Sequence, residues 1–282
     1  MPLEDEFCDI VKKARMGQGH SLEEVARLAG LSLNELEGLE KGARAPSAVE
    51  AASCAKTLSL KPSALHAVAI EQWEPAPSPA WVETAVVTVR GDIGGYEVKG
   101  YVLFDSRTKD AVFIDTAYNA QTMLSEIKKR GLQLIGVCLT HGHADHAGGL
   151  DRILNEWRVP VYLGDGDFPL LPWKPPQERL VVPQDGQQIH VGDLTVTCLA
   201  TPGHTPGGFC FRVQIDGHDL CFVGDTLFAG SIGRSNPFSL YPDHLQSVRE
   251  RVLQLNGDTV LLPGHGPATT VKEELLYNPF GI

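Results

Sequence analysis

Thr140-His141-Gly142-His143-Ala144-Asp145-His146-Ala147-Gly148-Gly149 follows directly on the apolar run LIGVCL at 134–139. Four groups able to ligate a metal, His141, His143, Asp145 and His146, fall within six residues. Neutral imidazole and carboxylate are the borderline ligands that Zn, Fe and Mn accept. An irregular loop after a strand can aim alternate side chains at two centres, so the spacing alone points to two metals. A His-rich surface loop is the plainer reading, and it weakens once the later segments are counted.

Three such segments follow. Thr201-Pro202-Gly203-His204-Thr205-Pro206 comes after a strand-like run at 194–200, Gly224-Asp225-Thr226 after 219–223, and Pro263-Gly264-His265-Gly266-Pro267 after 259–262. Loops at strand ends line one edge of a sheet in layered α/β folds, so these residues can meet although they are far apart in sequence. Of the ten histidines, five lie in these loops; His20, His66, His190, His218 and His244 have no such setting and read as surface or incidental.

Further strand-like runs at 82–89, 98–104, 111–114, 134–139 and 209–215 alternate with helix-period segments. At 120–130, Met123, Leu124 and Ile127 share one face, Lys128, Lys129 and Arg130 occupy the last turn, and Gly131 supplies the stop. An α/β domain is expected from this order. Upstream lies the seam EPAPSPA at 74–80, whose alternating prolines favour an extended linker. The expected domains are therefore a small all-α module at 1–74, a linker at 75–80 and the α/β domain at 81–282.

In the module, Ser21/Glu24, Ser32/Glu35 and Ser47/Glu50 read as capping boxes. Leu22, Val25, Ala26, Ala29, Leu36 and Leu39 fit two short helices with Gly30 at the turn between them. With Arg15, SLEEVARLAG, LSLNELEGLEKG and Pro46, residues 7–65 resemble the Cro and phage-repressor helix-turn-helix family, which implies that fold.

The motif set of 81–282 resembles the metallo-β-lactamase-fold hydrolases. The resemblance implies a four-layer αβ/βα sandwich in which His141, His143 and His204 hold one metal, Asp145, His146 and His265 hold the other, and Asp225 bridges them. The implied cofactors are two divalent ions, Zn first, with Fe or Mn as alternatives. Asp115, in Phe113-Ile114-Asp115-Thr116, matches an early aspartate of the family. It either steadies the loop or a ligand histidine from behind or is a strand-end turn residue.

GDTLFAGSIGR at 224–234 and PGHGPATTVKEELLYNPF at 263–280 look most like the glyoxalase II-like branch, the hydroxyacylglutathione hydrolases and their short bacterial relatives. That likeness implies hydrolysis of a thioester, or of an ester or lactone, through metal-bound hydroxide, with Asp145 orienting the nucleophile and passing on its proton. Asp225 stands where true zinc β-lactamases have Cys, which implies little β-lactamase activity. Only 17 residues follow His265, so weak dependence on the glutathione portion is expected. Arg234 matches a basic substrate-contacting position, or is a salt-bridged loop residue; Asn236 and Pro267 replace aromatic partners expected nearby. Persulfide dioxygenases, which use one iron, share almost all of these motifs. A ligand sensor coupled to the helix-turn-helix is the non-enzymatic alternative.

Composition bounds the rest. The chain of 282 residues is 43% apolar, and it carries 24 Lys+Arg against 35 Asp+Glu, a net charge of −11. Disorder is excluded, and a general nucleic-acid or anionic-membrane binder is disfavoured. The start MPLEDEF lacks the basic-then-apolar order of a signal peptide, and no apolar run approaches the ~18 residues of a membrane span. A soluble cytoplasmic protein with reduced structural thiols and a small-molecule substrate is expected.

Residues 1–74 hold 8 basic and 12 acidic side chains, a net of −4. Residues 32–41 offer Glu35, Glu37 and Glu40 with Lys41 as the only base. DNA is thus a partner the charge disfavours against a docking or homodimerisation role, and removal of 1–74 is expected to leave the metal site working. The expected outcome of a gel-shift titration at physiological salt is no tight binding of duplex DNA. A sequence-selective shift that weakens steeply with added salt would overturn this.

Overall fold

The computed structural model describes residues 2–281. Five helices come first: α1 (Phe7–Gly17), α2 (Leu22–Ala29), α3 (Leu33–Glu40), α4 (Ala48–Thr57) and α5 (Pro62–Ala69). Gly30 ends α2 at φ +70, a left-handed turn that glycine adopts without strain. The boxes at Ser32/Glu35 and Ser47/Glu50 are closed in both directions. At Ser21/Glu24 only the serine half forms, because the Glu24 carboxylate pairs with His20 Nδ1 at 3.0 Å instead.

After a 3-10 turn at Ala80–Thr84 come β1 (Val86–Ile93), β2 (Tyr96–Phe104), β3 (Asp110–Ile114), α6 (Ala120–Arg130) and β4 (Gln133–Cys138). The next elements are α7 (Ala144–Ala147), α8 (Leu150–Glu156), β5 (Val161–Tyr162) and β6 (Leu180–Val181), which completes a sheet in the order β1 to β6. The second sheet holds β7 (Gln188–Val191), β8 (Leu194–Ala200), β9 (Phe209–Ile215), β10 (His218–Gly224), β11 (Val260–Pro263) and β12 (Thr269–Thr270) in chain order across the sheet. Helices α9 (Tyr241–Gln246) and α10 (Val271–Tyr277) flank β11 in sequence. The run expected at 82–89 begins instead as the 3-10 turn, where the Thr84 hydroxyl donates to Trp81 O. The two-residue strands are too short for any period to show.

Three apolar layers hold this together. Leu103, Val112 and Ile114 meet Val196, Phe211, Phe222 and Leu262 between the sheets. Met123, Leu124 and Ile127 of α6 cover Val102, Phe113 and Val137 on the outside of the first sheet. On the outside of the second sheet, Cys210, Cys221, Val223 and Leu261 pack under Val248, Val252 and Val271. The result is a four-layer αβ/βα sandwich. Among the described residues no helix is long and apolar enough to cross a membrane, and the six cysteines are free, five of them buried.

The third layer does not stop at the sandwich. Ile10, Val11, Leu65 and Val68 of the helical module belong to one buried cluster with Leu227, Ile232, Tyr241 and Phe280. Lys61 N–H donates to Pro279 O at 2.8 Å, and Trp73 stacks on Tyr277 at 4.6 Å. Even the linker is held, since Ala76 N–H donates to Glu273. A fully buried apolar side chain is worth roughly 1.5–3 kcal/mol, so exposing several of them approaches the whole stability margin of about 5–15 kcal/mol. The module is therefore docked on the sandwich, as the docking role open from its charge allows, and this weighs against the expectation that 1–74 can be removed without cost.

At the end of this layer, Glu274 of α10 is fully buried and accepts from Gly230 N, Thr269 Oγ1 and Asn278 Nδ2. Burial pushes its carboxyl up to about 7 from the usual 4.5, with those donors opposing. The folded state then binds more protons than the unfolded one between these values, so this group makes stability fall as pH rises from about 4.5 to 7. Denaturant titrations across that range should show a downward slope that Glu274→Gln flattens; an unchanged slope would mean that Glu274 ionises freely in the fold.

Candidate metal centre

β10 and β11 run parallel, and β8 runs the same way because β9 is antiparallel to both β8 and β10. Their C-terminal ends therefore share one edge, which delivers His204, Asp225 and His265 together. The first sheet joins at the end of β4, where Phe209 N–H donates to Thr140 O at 2.9 Å. Backbone must come close here. A Cβ on Gly224 would sit 2.3 Å from Thr140 Oγ1, and one on Gly264 would sit 2.3 Å from His146 Cε1 and 2.5 Å from Asp225 Oδ1.

The seven residues expected at the centre converge. Three triads each bring their ligand atoms within 4.8 Å of one another: His141/His143/His204, His141/Asp145/His146 and His146/Asp225/His265. Asp225 spans the gap, with Oδ1 3.2 Å from His146 Nε2 and Oδ2 3.6 Å from both His204 Nε2 and His265 Nε2. Asp145 Oδ2 lies 3.3 Å from His265 Nε2.

The surroundings fix which ring nitrogen faces inward. His146 Nδ1 donates to Asp115 at 2.8 Å, His204 Nδ1 to Arg234 O at 2.7 Å, and His265 Nδ1 to Glu97 O at 2.6 Å. Each such bond leaves the Nε2 lone pair aimed at the centre. His146 Nε2 and His265 Nε2 stand 3.4 Å apart, and His204 Nε2 and His143 Nδ1 3.0 Å apart. Facing ring nitrogens repel unless a proton or a metal cation lies between them. His141 Nε2 and Asp225 Oδ1 are buried without a hydrogen-bond partner, the condition that buried polar atoms avoid unless a ligand satisfies them. The residues present fit divalent ions on these grounds.

Charge separates the two ends. Burial, with the neighbouring imidazoles, holds His141 well below the usual value, and burial takes His204 down to about 3. Burial opposes charge on His146 too, but Asp225 and Asp115 outweigh it and hold its pKa well above the usual value. At His265, Asp225 and Asp145 likewise overcome burial and raise it to about 9. Asp225 is held well below the carboxylate range because His146 and His265 outweigh its own burial.

Asp115, at φ +58 after β3, accepts from Thr140 N and Thr140 Oγ1 as well as from His146. It thus ties the loop after β4 and one histidine of the centre to the first sheet. Arg234 is exposed and makes no ion pair among the described residues; its guanidinium lies 4.7 Å from the Phe238 ring centre. The salt-bridged alternative is not what the structure holds.

Two residues escaped the sequence reading. Asp167, fully buried, accepts from Gly142 N, Gly207 N and Thr205 Oγ1, binding the loop after β4 to the loop after β8. Nothing in its Gly-Asp-Gly-Asp turn announced this. His244 is not incidental: it is fully buried, donates to Thr226 O at 2.8 Å and lies 6.4 Å from the His204 ring. Its position with Tyr241 and Val248 at helical spacing marked a buried face and was the signal available.

A four-layer sandwich whose sheet edge gathers five imidazoles and two carboxylates is an α/β architecture with a donor set that could hold metal ions. Residues 97–265 match the family model of the Metallo-beta-lactamase superfamily, and 11–65 match Helix-turn-helix. The chain belongs to the metallo-beta-lactamase superfamily and carries a helix-turn-helix domain at its N-terminal side. It is 32% identical over 187 residues to hydroxyacylglutathione hydrolase GloC of Haemophilus influenzae, covering 61% of this chain and 87% of GloC. The crystal structure of BLEG-1 B3 metallo-beta-lactamase is similar with a TM-score of 0.59 at 28% identity, over 69% of this chain and 99% of that one. That of TTHA1623 in a di-iron-bound form gives 0.57 at 28%, over 68% and 99%.

Titrating zinc into metal-free protein at pH 7 should show two steps. The first, at the end where burial holds His141 and His204 neutral, releases few protons; the second displaces them from His146 and His265 and strengthens as pH rises towards about 9. Calorimetry in buffers of different ionisation enthalpy separates the two. A single step without proton release would show that the second end takes no ion.

Proposed function

We propose that this chain is a dinuclear metal-dependent hydrolase acting on the carbonyl of a thioester, or of an ester or lactone, in the manner of glyoxalase II. The reading rests on Asp225, a buried carboxylate set between two ligand triads with one oxygen left unpartnered. His141, His143 and His204 would hold one ion, Asp145, His146 and His265 the second, and Asp225 both. Bound there, divalent ions, Zn first and Fe or Mn as alternatives, would supply Lewis acidity and bring the pKa of water towards neutral. The relative named a hydroxyacylglutathione hydrolase and the structural neighbour with two irons support the substrate class and the ion count.

The chain's own groups do the rest. Asp145 keeps a side-chain exposure of 22%, so its carboxylate can orient water and take its proton. Water oxygen adds to the carbonyl carbon, the C–S or C–O bond breaks, and the proton passes to the departing group. Arg234 offers an exposed cation to an anionic part of the substrate, and Asp115 steadies His146 from behind. We assign residues 1–74 to the helix-turn-helix domain, 75–80 to the linker and 81–282 to the hydrolase.

The test presents S-lactoylglutathione, a simple lactone, a β-lactam and glutathione persulfide side by side, following acid release and oxygen uptake. Acid release from the thioester or lactone is expected, with Asp225→Ala lowering kcat by at least about 100-fold and Arg234→Ala mainly raising KM. Oxygen uptake with the persulfide and no hydrolysis of the others would replace the hydrolase by a dioxygenase. Preferential opening of the β-lactam would move the substrate class.

A further inference from the structure

The segment 226–234 joins Asp225 to the residue whose carbonyl orients His204. Gly233 N–H donates back to Asp225 O at 3.1 Å, and Arg234 O accepts from His204 Nδ1 at 2.7 Å. Where this loop goes, two candidate ligands follow. Within it, Phe228 sets its ring edge-on to His265, centroids 5.8 Å apart.

One side of the loop is held by the hydrolase itself: Glu274 accepts from Gly230 N, and Asn278 Nδ2 donates to Ser231 O at 2.8 Å. The other side is held by the helix-turn-helix domain. The Ser231 hydroxyl, fully buried, donates to Asp5 Oδ2 at 2.5 Å. Lys13 Nζ donates to the same Asp5 oxygen and, at 2.9 Å, to Ile232 O; it also lies 5.1 Å from the Phe228 ring centre. A Cβ on Gly230 would meet Val68 at 3.1 Å, Trp73 at 3.3 Å and Leu3 at 3.7 Å, all side chains of the helical domain and its exit. The same N-terminal strand of chain reaches the last ligand loop, since a Cβ on Gly266 would lie 3.1 Å from Glu4 N and Cβ.

We propose that the helix-turn-helix domain is a wall of the metal centre, and that Asp5, acting with Lys13, is a positioning residue that fixes the 226–234 loop and through it His204 and Asp225. A buried carboxylate that accepts a hydroxyl and an ammonium at once is a strong, directional tie, because ion pairing shortens and strengthens both bonds. Asp5 is 6% exposed, so water competes weakly for it. None of these contacts comes from α3: they come from the segment before α1, from α1, and from the end of α5 onwards.

The kinetic arm of the test rests on the hydrolase reading; the exchange arm does not. In the full-length, metal-free protein, Asp5→Ala and Ser231→Ala, which cut the same bond from either side, should both speed amide exchange at Gly230, Ser231 and Gly233 by about tenfold or more. Amides of α2 and α4 should keep their wild-type rates. With zinc and the hydrolysed substrate, Asp5→Ala should lower kcat by about tenfold with KM changed less than twofold, and Asp5→Asn, which keeps an acceptor for Ser231, should recover part of the loss. Loop exchange that stays at the wild-type rate in both variants overturns the proposal, and so does faster exchange spread evenly through the helical domain. A wild-type protein that hydrolyses nothing sinks the hydrolase reading alone, and the exchange rates still decide the clamp.

Discussion

Everything at this sheet edge answers to one electrostatic constraint: a buried carboxylate, Asp225, surrounded by imidazole lone pairs that point at one another. Left to themselves these groups must either take up protons or move apart. His146 and His265 show the first response, with pKa values raised by Asp225 against the cost of burial. The second is blocked at His146, His204 and His265, which are pinned by their far nitrogens to Asp115, Arg234 O and Glu97 O. A site that cannot relax and that wants positive charge is preorganised for cations. Cations that arrive there displace the protons that His146 and His265 hold.

That preorganisation reaches back into the fold by short paths. Asp115 and Asp167 each hold two or more groups on different loops. Lys99, 4% exposed and taken down to about 8 by burial, donates to Gly266 O beside His265, while Tyr101 Oη donates to Pro263 O. β2 and β4 of one sheet and β8 and β11 of the other are thus stitched at the edge by side chains. The packing of Leu103 and Ile114 against Phe211 and Phe222 then sets the distance between the halves of the centre.

What the sequence disclosed follows from how local the signals are. The array at 141–146 is legible because its ligands are neighbours, and α6 because Met123, Leu124, Ile127 and Gly131 state a face and a stop within one short window. His204, Asp225 and His265 are legible through the strand before each. Asp167 is not, since a carboxylate that bonds three groups on two loops has no local pattern to betray it. A docking role for the helical domain was open from its charge, but the surface on which it docks was hidden for the same reason. Asp5 and Lys13 look like ordinary residues of a helix start, and the prolines at 74–80 suggest separation although Trp73 and Ala76 are both held by the hydrolase.

Charge inside the helical domain bears on what it can do besides docking. Of its eight basic side chains, Lys13 pairs with Asp5, Arg15 with Glu40, Lys41 with Glu37 and Arg44 with Glu50, and Lys61 donates to Leu275 O. Phosphates would have to displace these carboxylates to recruit the cations, and the Arg15–Glu40 pair is bidentate and largely buried. Neutralising phosphates supplies much of the affinity of such domains for DNA, so the paired cations are less available for it, while Lys12, Arg27 and Lys56 stay exposed. The same pairs do the opposite for the fold: they hold α1 against α3 and the segment before α1 against the hydrolase. A helix-turn-helix scaffold in which Lys13 and Arg15 are committed to internal pairs is suited to bracing a neighbour, and the neighbour it braces is the loop between Asp225 and Arg234.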